Sequence, residues 1–278
     1  MGYISEEKTL TRMGCTLHYW VCKREGNRWL LLLPGAGADH RIFNEQVPAL
    51  AERFNLIVMD MRGTGLSRPI GDGLSAAILV DDTLAVLDAE GVDRATLIGH
   101  SLGGNIAQET AYHHPERVAY LALIDCTCNT MKLTSLESFA VWCSPAIFAM
   151  YPEKTLVRQS ALASAVSPSA RKYLEDVLSA VGKRDFSRIM GVGTAERLHY
   201  DEEYRFGKPM LLLCGEHDMT GNIRKCAPKW ASREPRCEFH WIKDAGHVSN
   251  MDNPDEVNRL LVAFLEEQYC SANALPQV

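Results

Sequence analysis

A serine in a glycine-rich turn is the residue of this sequence best suited to nucleophilic chemistry. The segment Gly99–Gly103 reads Gly-His-Ser-Leu-Gly; it follows an apolar run and precedes a helix-like stretch. The Gly-x-Ser-x-Gly spacing permits a tight strand-to-helix turn that leaves the serine hydroxyl exposed at the carboxyl end of the strand. The N-terminus of the following helix would favour negative charge that develops nearby. The sequence therefore predicts Ser101 as a nucleophile.

Two loops supply the candidates for a base and an acid. A serine nucleophile needs a base to remove its proton and a carboxylate to orient that base. In open parallel sheets such groups lie in loops at the carboxyl ends of strands. The loops after the apolar runs 210–214 and 237–242 contain Asp218 and His247. We therefore predict His247 as the base and Asp218 as the orienting acid, with Asp125, which follows another apolar run, as the alternative acid.

The loop 34–38 is the candidate for binding a developing oxyanion. It follows an apolar run and consists of Pro, Gly, Ala, Gly and Ala, so its backbone can approach a ligand closely. An oxyanion hole needs two backbone N–H groups aimed at the substrate oxygen. We predict Leu102, the residue after the serine, and Ala36 as these donors. The loop has neither the Gly-x-Gly-x-x-Gly nor the Walker spacing, which argues against a dinucleotide site.

These residues need a scaffold, and a repeated pattern of apolar runs predicts one. The runs cover residues 29–33, 56–59, 95–98, 118–124, 210–214 and 237–242. Continuous apolar strands are typical of a parallel sheet that is covered by helices on both faces. Apolar residues at helical spacing in 75–90 and 254–269 predict two of those helices. Residues 15–22 are predicted to form an antiparallel edge strand.

The stretch 129–204 breaks this pattern. It contains helical pieces, such as 136–142 and 171–181, but no convincing strand, and it lies between two predicted strands. The sequence therefore predicts an α/β core with a mostly parallel sheet flanked by helices, and a helical cap inserted into it. The core comprises residues 1–128 and 205–278, and the cap comprises residues 129–204.

Aromatic and apolar side chains are concentrated in the predicted cap. Some of them would line an apolar substrate pocket, and ordinary packing of the cap against the core is the alternative role. The predicted substrate contacts are Phe139, Trp142 and Phe148 of the cap and Val248 beside the predicted base.

Composition and charge disfavour several kinds of partner. The chain has 29 basic and 35 acidic residues, a net charge of -6, and no Lys/Arg cluster above background, which disfavours nucleic acid or an anionic membrane. It has no apolar run of about 18 residues that would span a membrane. Its polar, acidic N-terminus lacks the features of a signal peptide, so we expect a cytoplasmic protein. Nine scattered cysteines without a Cys-x-x-Cys pair predict no metal site.

With these residues in place, the sequence resembles the α/β-hydrolase superfamily over nearly its whole length. The matching segments are Leu33-Pro34-Gly35, the Asp-x-Arg-Gly-x-Gly-x-Ser stretch at 60–67, the serine turn, Gly-Glu-His-Asp at 215–218 and Ala-Gly-His at 245–247. The order Ser, Asp, His also matches the superfamily. In the superfamily the stretch at 60–67 supports the floor of the active site. The sequence is most similar to small capped esterases, carbon–carbon bond hydrolases and cofactor-free haloperoxidase-like members.

The sequence departs from the superfamily pattern at two positions. Pro34-Gly35 stands where many members have His-Gly, which keeps the backbone donor but changes the side-chain support of the loop. The predicted nucleophile is Ser rather than Asp, which argues against dehalogenase and epoxide-hydrolase chemistry.

The residues and the resemblance together imply a carboxylesterase that acts on small to medium, largely apolar esters. The reaction would pass through an acyl-enzyme on Ser101 and would require no metal or organic cofactor. A C–C bond hydrolase or a perhydrolase-like enzyme would use the same residues on a related carbonyl substrate. A ligand-sensing signalling protein on a hydrolase scaffold is the alternative outside enzymes.

Overall fold

An eight-stranded sheet forms the centre of the computed structural model, which describes residues 6–24, 26, 28–139, 143, 150–192 and 200–273. The strands are β1 (Glu6–Arg12), β2 (Cys15–Cys22), β3 (Trp29–Leu33), β4 (Asn55–Met59), β5 (Ala95–His100), β6 (Val118–Ile124), β7 (Met210–Gly215) and β8 (Cys237–Ile242). Their order in the sheet is β1-β2-β4-β3-β5-β6-β7-β8. The pairs β1–β2 and β2–β4 are antiparallel, and every other pair is parallel.

Helices connect the strands and cover both faces of the sheet. They are α1 (Gln46–Ala51), α2 (Ala76–Ala89), α3 (Leu102–His113), α4 (Glu153–Ser164), α5 (Pro168–Val181), α6 (Lys183–Gly191), α7 (Ile223–Arg233), α8 (Ser249–Asp252) and α9 (Pro254–Asn273). The described residues also include two short 3₁₀ helices, His40–Phe43 and Pro115–Arg117, and the helical residues 135–139.

The strands are apolar throughout because both faces of the sheet are buried. On β3, Leu31 and Leu33 belong to one core cluster, which includes residues of α2, α3 and α7. The alternate residues Leu30 and Leu32 belong to the other cluster, which includes residues of α1 and α9. Because successive side chains of a strand point to opposite faces, this division follows directly from the continuous apolar runs.

The structure confirms the predicted parallel sheet and corrects the prediction for its edge. Residues 15–22 form β2, which lies inside the sheet between β1 and β4. The edge strand on that side of the sheet is β1, which pairs antiparallel with β2 from Glu6↔Val21 to Arg12↔Cys15. Its sequence, EEKTLTR, is mostly polar and exposed. An edge strand needs little apolar surface, and charges on it discourage pairing with other chains, which is why the apolar pattern did not reveal it.

The chain direction in the sheet decides where the functional loops meet. From β3 the chain moves outward to β4, and it then returns to place β5 on the other side of β3. The loops that leave β3 and β5 therefore diverge and leave a crevice at the carboxyl ends of these strands. In open α/β sheets this switch point is the preferred ligand site.

Between β6 and β7 the described residues form helices and loops but no strand, and we call α4, α5 and α6 the helical insertion. The prediction of a helix over 171–181 is confirmed by α5, which begins at Pro168 after the N-cap Ser167. Part of the predicted helical piece 136–142 lies outside the described residues.

None of the helices in the described part of the chain combines the length and the apolar character that crossing a membrane requires.

Candidate active site

Ser101 occupies a strained turn between β5 and α3. Its backbone angles are φ 50° and ψ −117°, in a region that side-chain-bearing residues rarely adopt. Its N–H donates to the carbonyl of Ile124 in the neighbouring strand, at 2.9 Å. A methyl group on Gly103 would lie 2.1 Å from the Leu33 carbonyl oxygen, so this position must be glycine for α3 to pack against β3. The turn therefore holds the hydroxyl at the crevice between β3 and β5.

A line of two hydrogen bonds joins Ser101, His247 and Asp218. The distance between His247 Nε2 and Ser101 Oγ is 2.9 Å, and that between His247 Nδ1 and Asp218 Oδ2 is also 2.9 Å. The second Asp218 oxygen accepts the Thr220 N–H at 2.7 Å. Because the carboxylate accepts from Nδ1–H, Nε2 is left as the acceptor for the serine hydroxyl. The structure thus brings together the residues predicted as nucleophile, base and acid.

The imidazole and the carboxylate shift each other's ionisation in opposite directions. Burial lowers the pKa of His247, but the charge of Asp218 and the hydrogen bond to it outweigh burial, so the net pKa lies above its ordinary value. Burial raises the pKa of Asp218, but the charge of His247 and its hydrogen bond hold that pKa below the ordinary value. The pair is therefore suited to stabilise a positive imidazole when it receives a proton.

Asp125, the alternative acid, lies close to this pair with its carboxylate bound to backbone. Its Oδ1 accepts the Gly215 N–H at 2.7 Å, and its Oδ2 accepts the Ser249 N–H at 2.8 Å. Burial and the charge of Asp218 raise the pKa of Asp125 to about 7, although His247 and the bonds to Ser249 oppose the rise. Asp125 therefore ties the loop that carries Asp218 to the loop that carries His247.

The structure brings three buried side chains with potential metal-binding atoms within 4.8 Å of one another. They are those of Asp218, Asp125 and Cys214. Both carboxylates already accept hydrogen bonds from backbone N–H groups. Burial also raises the pKa of the Cys214 thiol far above its ordinary value, whereas metal binding requires the thiolate. The chemistry of these donors does not fit a cation site.

His100, which precedes Ser101, supports the loop between β8 and α8 that carries His247; we call this the histidine loop. Because a carbonyl can only accept, His100 Nε2–H donates to the His247 carbonyl, and the two atoms lie 2.7 Å apart. Burial lowers the pKa of His100 to about 3, so the ring is neutral. A methyl group on Gly35 would lie 2.6 Å from His100 Nδ1 and 3.2 Å from Ser101 Cβ. Gly35 thus lets the loop after β3 approach the serine turn.

The two predicted oxyanion donors lie on segments that flank Ser101. Leu102 is the first residue of α3, where a backbone N–H has no partner within the helix. Ala36 lies in the loop after β3, where the Ala38 N–H donates to the Gly35 carbonyl at 3.1 Å. Next to it, Gly37 faces Leu178 of α5 and Phe186 of α6, so the loop lies between the serine turn and the helical insertion. The geometry leaves both as candidates for the role.

The predicted substrate contacts have different placements. Phe139 is 60% exposed, and Val248 is buried in a core cluster beside α9. Trp142 and Phe148 lie outside the described residues. Whether these side chains contact a substrate stays a prediction.

The stretch 60–67 holds buried charges next to the loop after β3. Asp60 accepts the His40 N–H and the Leu66 N–H, each at 2.7 Å. Arg62 is fully buried and donates to both oxygens of Asp82. Removing one partner of such a buried pair would leave an uncompensated charge in the core. Because these ion pairs and hydrogen bonds fix the stretch, we interpret it as a rigid support for the loop after β3.

Sequence reasoning gave no role to Asp252, at the end of α8. Its carboxylate accepts the Gly246 N–H, next to His247, at 2.9 Å. The available signal in the sequence was that Asp252 follows His247 closely and directly precedes Asn253-Pro254. That spacing did not predict where the Asp252 side chain points.

A family profile described as the alpha/beta hydrolase fold matches residues 28–254 of this chain. Among curated proteins, RutD of Caulobacter vibrioides is 25% identical to it over 260 residues. That match covers 87% of this chain and 91% of RutD, whose name assigns it provisionally to carbamate hydrolysis. The sequence similarity thus extends beyond the serine turn to most of both proteins.

Solved structures share the same fold. The enol-lactonase from Burkholderia xenovorans LB400 has a TM-score of 0.80 and 22% sequence identity, with 93% of this chain and 99% of the lactonase covered. A meta-cleavage product hydrolase from Pseudomonas fluorescens IP01 has a TM-score of 0.75 and 22% identity, with 95% and 98% covered.

Proposed function

This chain belongs to the α/β-hydrolase fold family, and on that premise we propose that it is a serine hydrolase that cleaves small to medium, largely apolar carboxylic esters. The observation that carries the proposal is the hydrogen-bonded line from Ser101 Oγ through His247 to Asp218, with both distances at 2.9 Å. Nucleophilic acyl transfer needs a hydroxyl that donates to an imidazole, and a carboxylate that orients this imidazole.

In the first step Ser101 Oγ attacks the ester carbonyl while His247 Nε2 takes the serine proton. Asp218 stabilises the imidazolium that forms, which agrees with the raised pKa of His247. The new C–O bond turns the carbonyl oxygen into an oxyanion. We assign the N–H groups of Leu102 and Ala36 as its donors, because their segments flank Ser101 from two sides.

In the second half of the reaction the ester bond breaks and the alcohol leaves. His247 gives its proton to the departing oxygen, and an acyl-enzyme remains on Ser101. A water then attacks the acyl carbonyl as His247 takes a proton from it. The collapse of the second oxyanion breaks the bond to Ser101 Oγ, which receives the proton from His247, and the carboxylic acid is released. Each step uses the chain's own residues.

The helical insertion acts as a cap over this site. Leu178 and Phe186 of the insertion meet Gly37 in the proposed oxyanion loop, and Ile189 lies beside Gly63. These apolar contacts exclude water from one side of the crevice, which strengthens hydrogen bonds to a charged intermediate. They support a substrate with a largely apolar acyl group.

A carbamate is the second candidate substrate, and the similarity to RutD favours it. Its carbonyl would be attacked by the same serine, and the product of the first step would be a carbamoyl-enzyme. The two candidates differ in the acyl group that stays on Ser101, so direct comparison of matched substrates separates them.

The test is hydrolysis of p-nitrophenyl esters of graded acyl length, with a p-nitrophenyl carbamate in parallel. We expect kcat/KM for the preferred ester to fall about 10⁴-fold or more in Ser101→Ala, because the nucleophile and the base act as a unit. A fluorophosphonate should label the wild type at Ser101 and leave the variant unlabelled.

The matched control is Ser232→Ala, which removes a hydroxyl bound to the Lys229 carbonyl on α7. It should retain wild-type kinetics. Ser101→Ala turning over the esters at the wild-type rate would sink the proposal. Faster turnover of the carbamate than of any ester would replace the ester by the carbamate, and labelling with negligible turnover of every compound would favour a ligand sensor.

A further inference from the structure

Asp252 connects the histidine loop with the helical insertion. It is the last residue of α8, and its carboxylate accepts three backbone N–H groups. Oδ2 accepts from Gly246 and from Val166, each at 2.9 Å, and Oδ1 accepts from Ser167 at 2.8 Å. Gly246 directly precedes His247, whereas Val166 and Ser167 lie between α4 and α5. One side chain thus holds two segments that are distant in the sequence.

A second set of contacts joins the same two segments. The Val248 N–H donates to the Ser164 carbonyl at 3.2 Å. A methyl group on Gly246 would come within 2.7 Å of the same carbonyl oxygen, so the two backbones pack in direct contact. The residues on both sides of His247 are therefore bound to the end of α4 and the turn that follows it.

The other contacts of the histidine loop come from the core. His100 donates to the His247 carbonyl, and Asp125 accepts the Ser249 N–H. The His217 N–H also donates to the Ala245 carbonyl at 2.8 Å. The core alone thus fixes the loop at Ala245, His247 and Ser249, while the positions of Gly246 and Val248 also depend on the insertion. A shift of the insertion would change the loop next to the imidazole without changing the sheet.

We propose that Asp252 is a positioning residue that makes the alignment of His247 depend on the docking of the helical insertion. The proposal rests on the proposed function of His247 as the base. The imidazole must hold Nε2 near Ser101 Oγ, and a displacement of about 1 Å in an aligned site can cost about 100-fold in rate. When the insertion is docked, Asp252 holds Gly246 and the base is aligned; when it moves away, that hold is lost.

The first variant is Asp252→Asn, which keeps the shape but replaces one acceptor oxygen by an amide group that cannot accept N–H bonds. We expect kcat for a p-nitrophenyl ester to fall about 10- to 100-fold, with KM changed less than threefold, and Ser101 labelling by a fluorophosphonate to slow by a similar factor. The acidic limb of the pH profile should move to lower pH, because a misaligned His247 binds Asp218 less well. Asp255→Asn, at an exposed site in the first turn of α9, is the charge-matched control.

A second variant breaks the contact from the insertion. Ser167→Pro removes the N–H that Oδ1 accepts, at a φ of −73° that proline adopts. Ser167→Ala is its control, since Ser167 also caps α5 through its hydroxyl and only the cap is lost in that variant. We expect several-fold lower kcat in Ser167→Pro and less than twofold change in Ser167→Ala.

The outcomes separate this proposal from the proposed function. If the wild type reacts at Ser101 while Asp252→Asn and Ser167→Pro keep its kcat and pH profile and lose only thermal stability, Asp252 is merely structural and the coupling is wrong. If the wild type itself neither turns over an ester nor reacts with the fluorophosphonate, the proposed function fails and the coupling fails with it. If Asp252→Asn does not fold, Ser167→Pro against Ser167→Ala decides the question.

Discussion

Asp218 and Asp125 each follow a parallel strand and each is buried beside His247, yet their carboxylates bind different partners. Asp218 accepts from the imidazole, whereas Asp125 accepts the N–H groups of Gly215 and Ser249. The charge of His247 keeps the pKa of Asp218 low, and burial next to Asp218 raises the pKa of Asp125 to about 7. Two identical side chains at adjacent strand ends thus acquire different roles from the atoms they reach.

The site thus uses one carboxylate to orient the imidazole and another to hold the two loops together. The carboxylate that contacts the imidazole controls its tautomer and its charge. The carboxylate that holds two loops controls the distance between them. Substitutions at Asp218 and Asp125 should therefore affect catalysis and stability to different degrees.

Replacing Asp218 by Asn should have the largest effect. An asparagine side chain has no negative charge and can donate its amide N–H to Nδ1, which places the imidazole proton on Nε2, so we expect kcat to fall about 10⁴-fold. The measurement is steady-state hydrolysis of the preferred p-nitrophenyl ester at pH 8. Asp125→Asn should stay within about tenfold of wild type. Comparable losses in the two variants would contradict the division, and a larger loss in Asp125→Asn would reverse it.

Removing the Asp125 carboxylate should mainly reduce stability. Asp125→Ala leaves the buried Gly215 and Ser249 N–H groups without their acceptor, so the free energy of unfolding should fall by about 2–5 kcal/mol. Chemical denaturation at pH 7 measures the loss. Asp81→Ala, at an exposed position in α2, should change stability by about 0.5 kcal/mol or less. If the free energy of unfolding were the same for Asp125→Ala and Asp81→Ala, the Asp125 carboxylate would not stabilise the two loops that it contacts.

The pH dependence should reveal the smaller electrostatic contribution of Asp125. His247 must be neutral to take the serine proton, so kcat/KM should rise with pH through the pKa of His247, which lies above its ordinary value. The negative charge of Asp125 contributes to that rise in pKa, and Asp125→Asn should therefore move the limb to lower pH. Because the pKa of Asp125 is itself about 7, most of its negative charge is lost at pH 6, and we expect the ratio of kcat/KM at pH 6 to that at pH 8 to increase by about twofold or less. A limb that moves to higher pH would contradict this assignment.

Much of the fold was predictable because its signals are local. The continuous apolar runs gave six of the strands, and the helical spacing in 75–90 corresponds to α2, whose N-cap is Ser75. The turn at Ser101 was also visible, since only small residues permit the approach of α3 to β3. The edge strand β1 was missed because its stability comes from pairing with β2 rather than from an apolar face.

The candidate site was predictable only in part. The rule that loops at the carboxyl ends of parallel strands carry the chemistry narrowed the choice to a few side chains. It could not decide between Asp125 and Asp218 as the hydrogen-bond partner of His247, because both satisfy it. It also gave no signal for Asp252, two of whose partners, Val166 and Ser167, lie between helices of the insertion.

The sequence by itself determined the parallel sheet, the serine turn and the loops that hold a carboxylate and a histidine. These features depend on residue type and on spacing over short stretches of chain. The tertiary structure decided which aspartate meets the imidazole and how the helical insertion is fastened beside it. Those contacts join residues far apart in the sequence, and they depend on the direction of side chains at a few ångströms, which spacing does not encode.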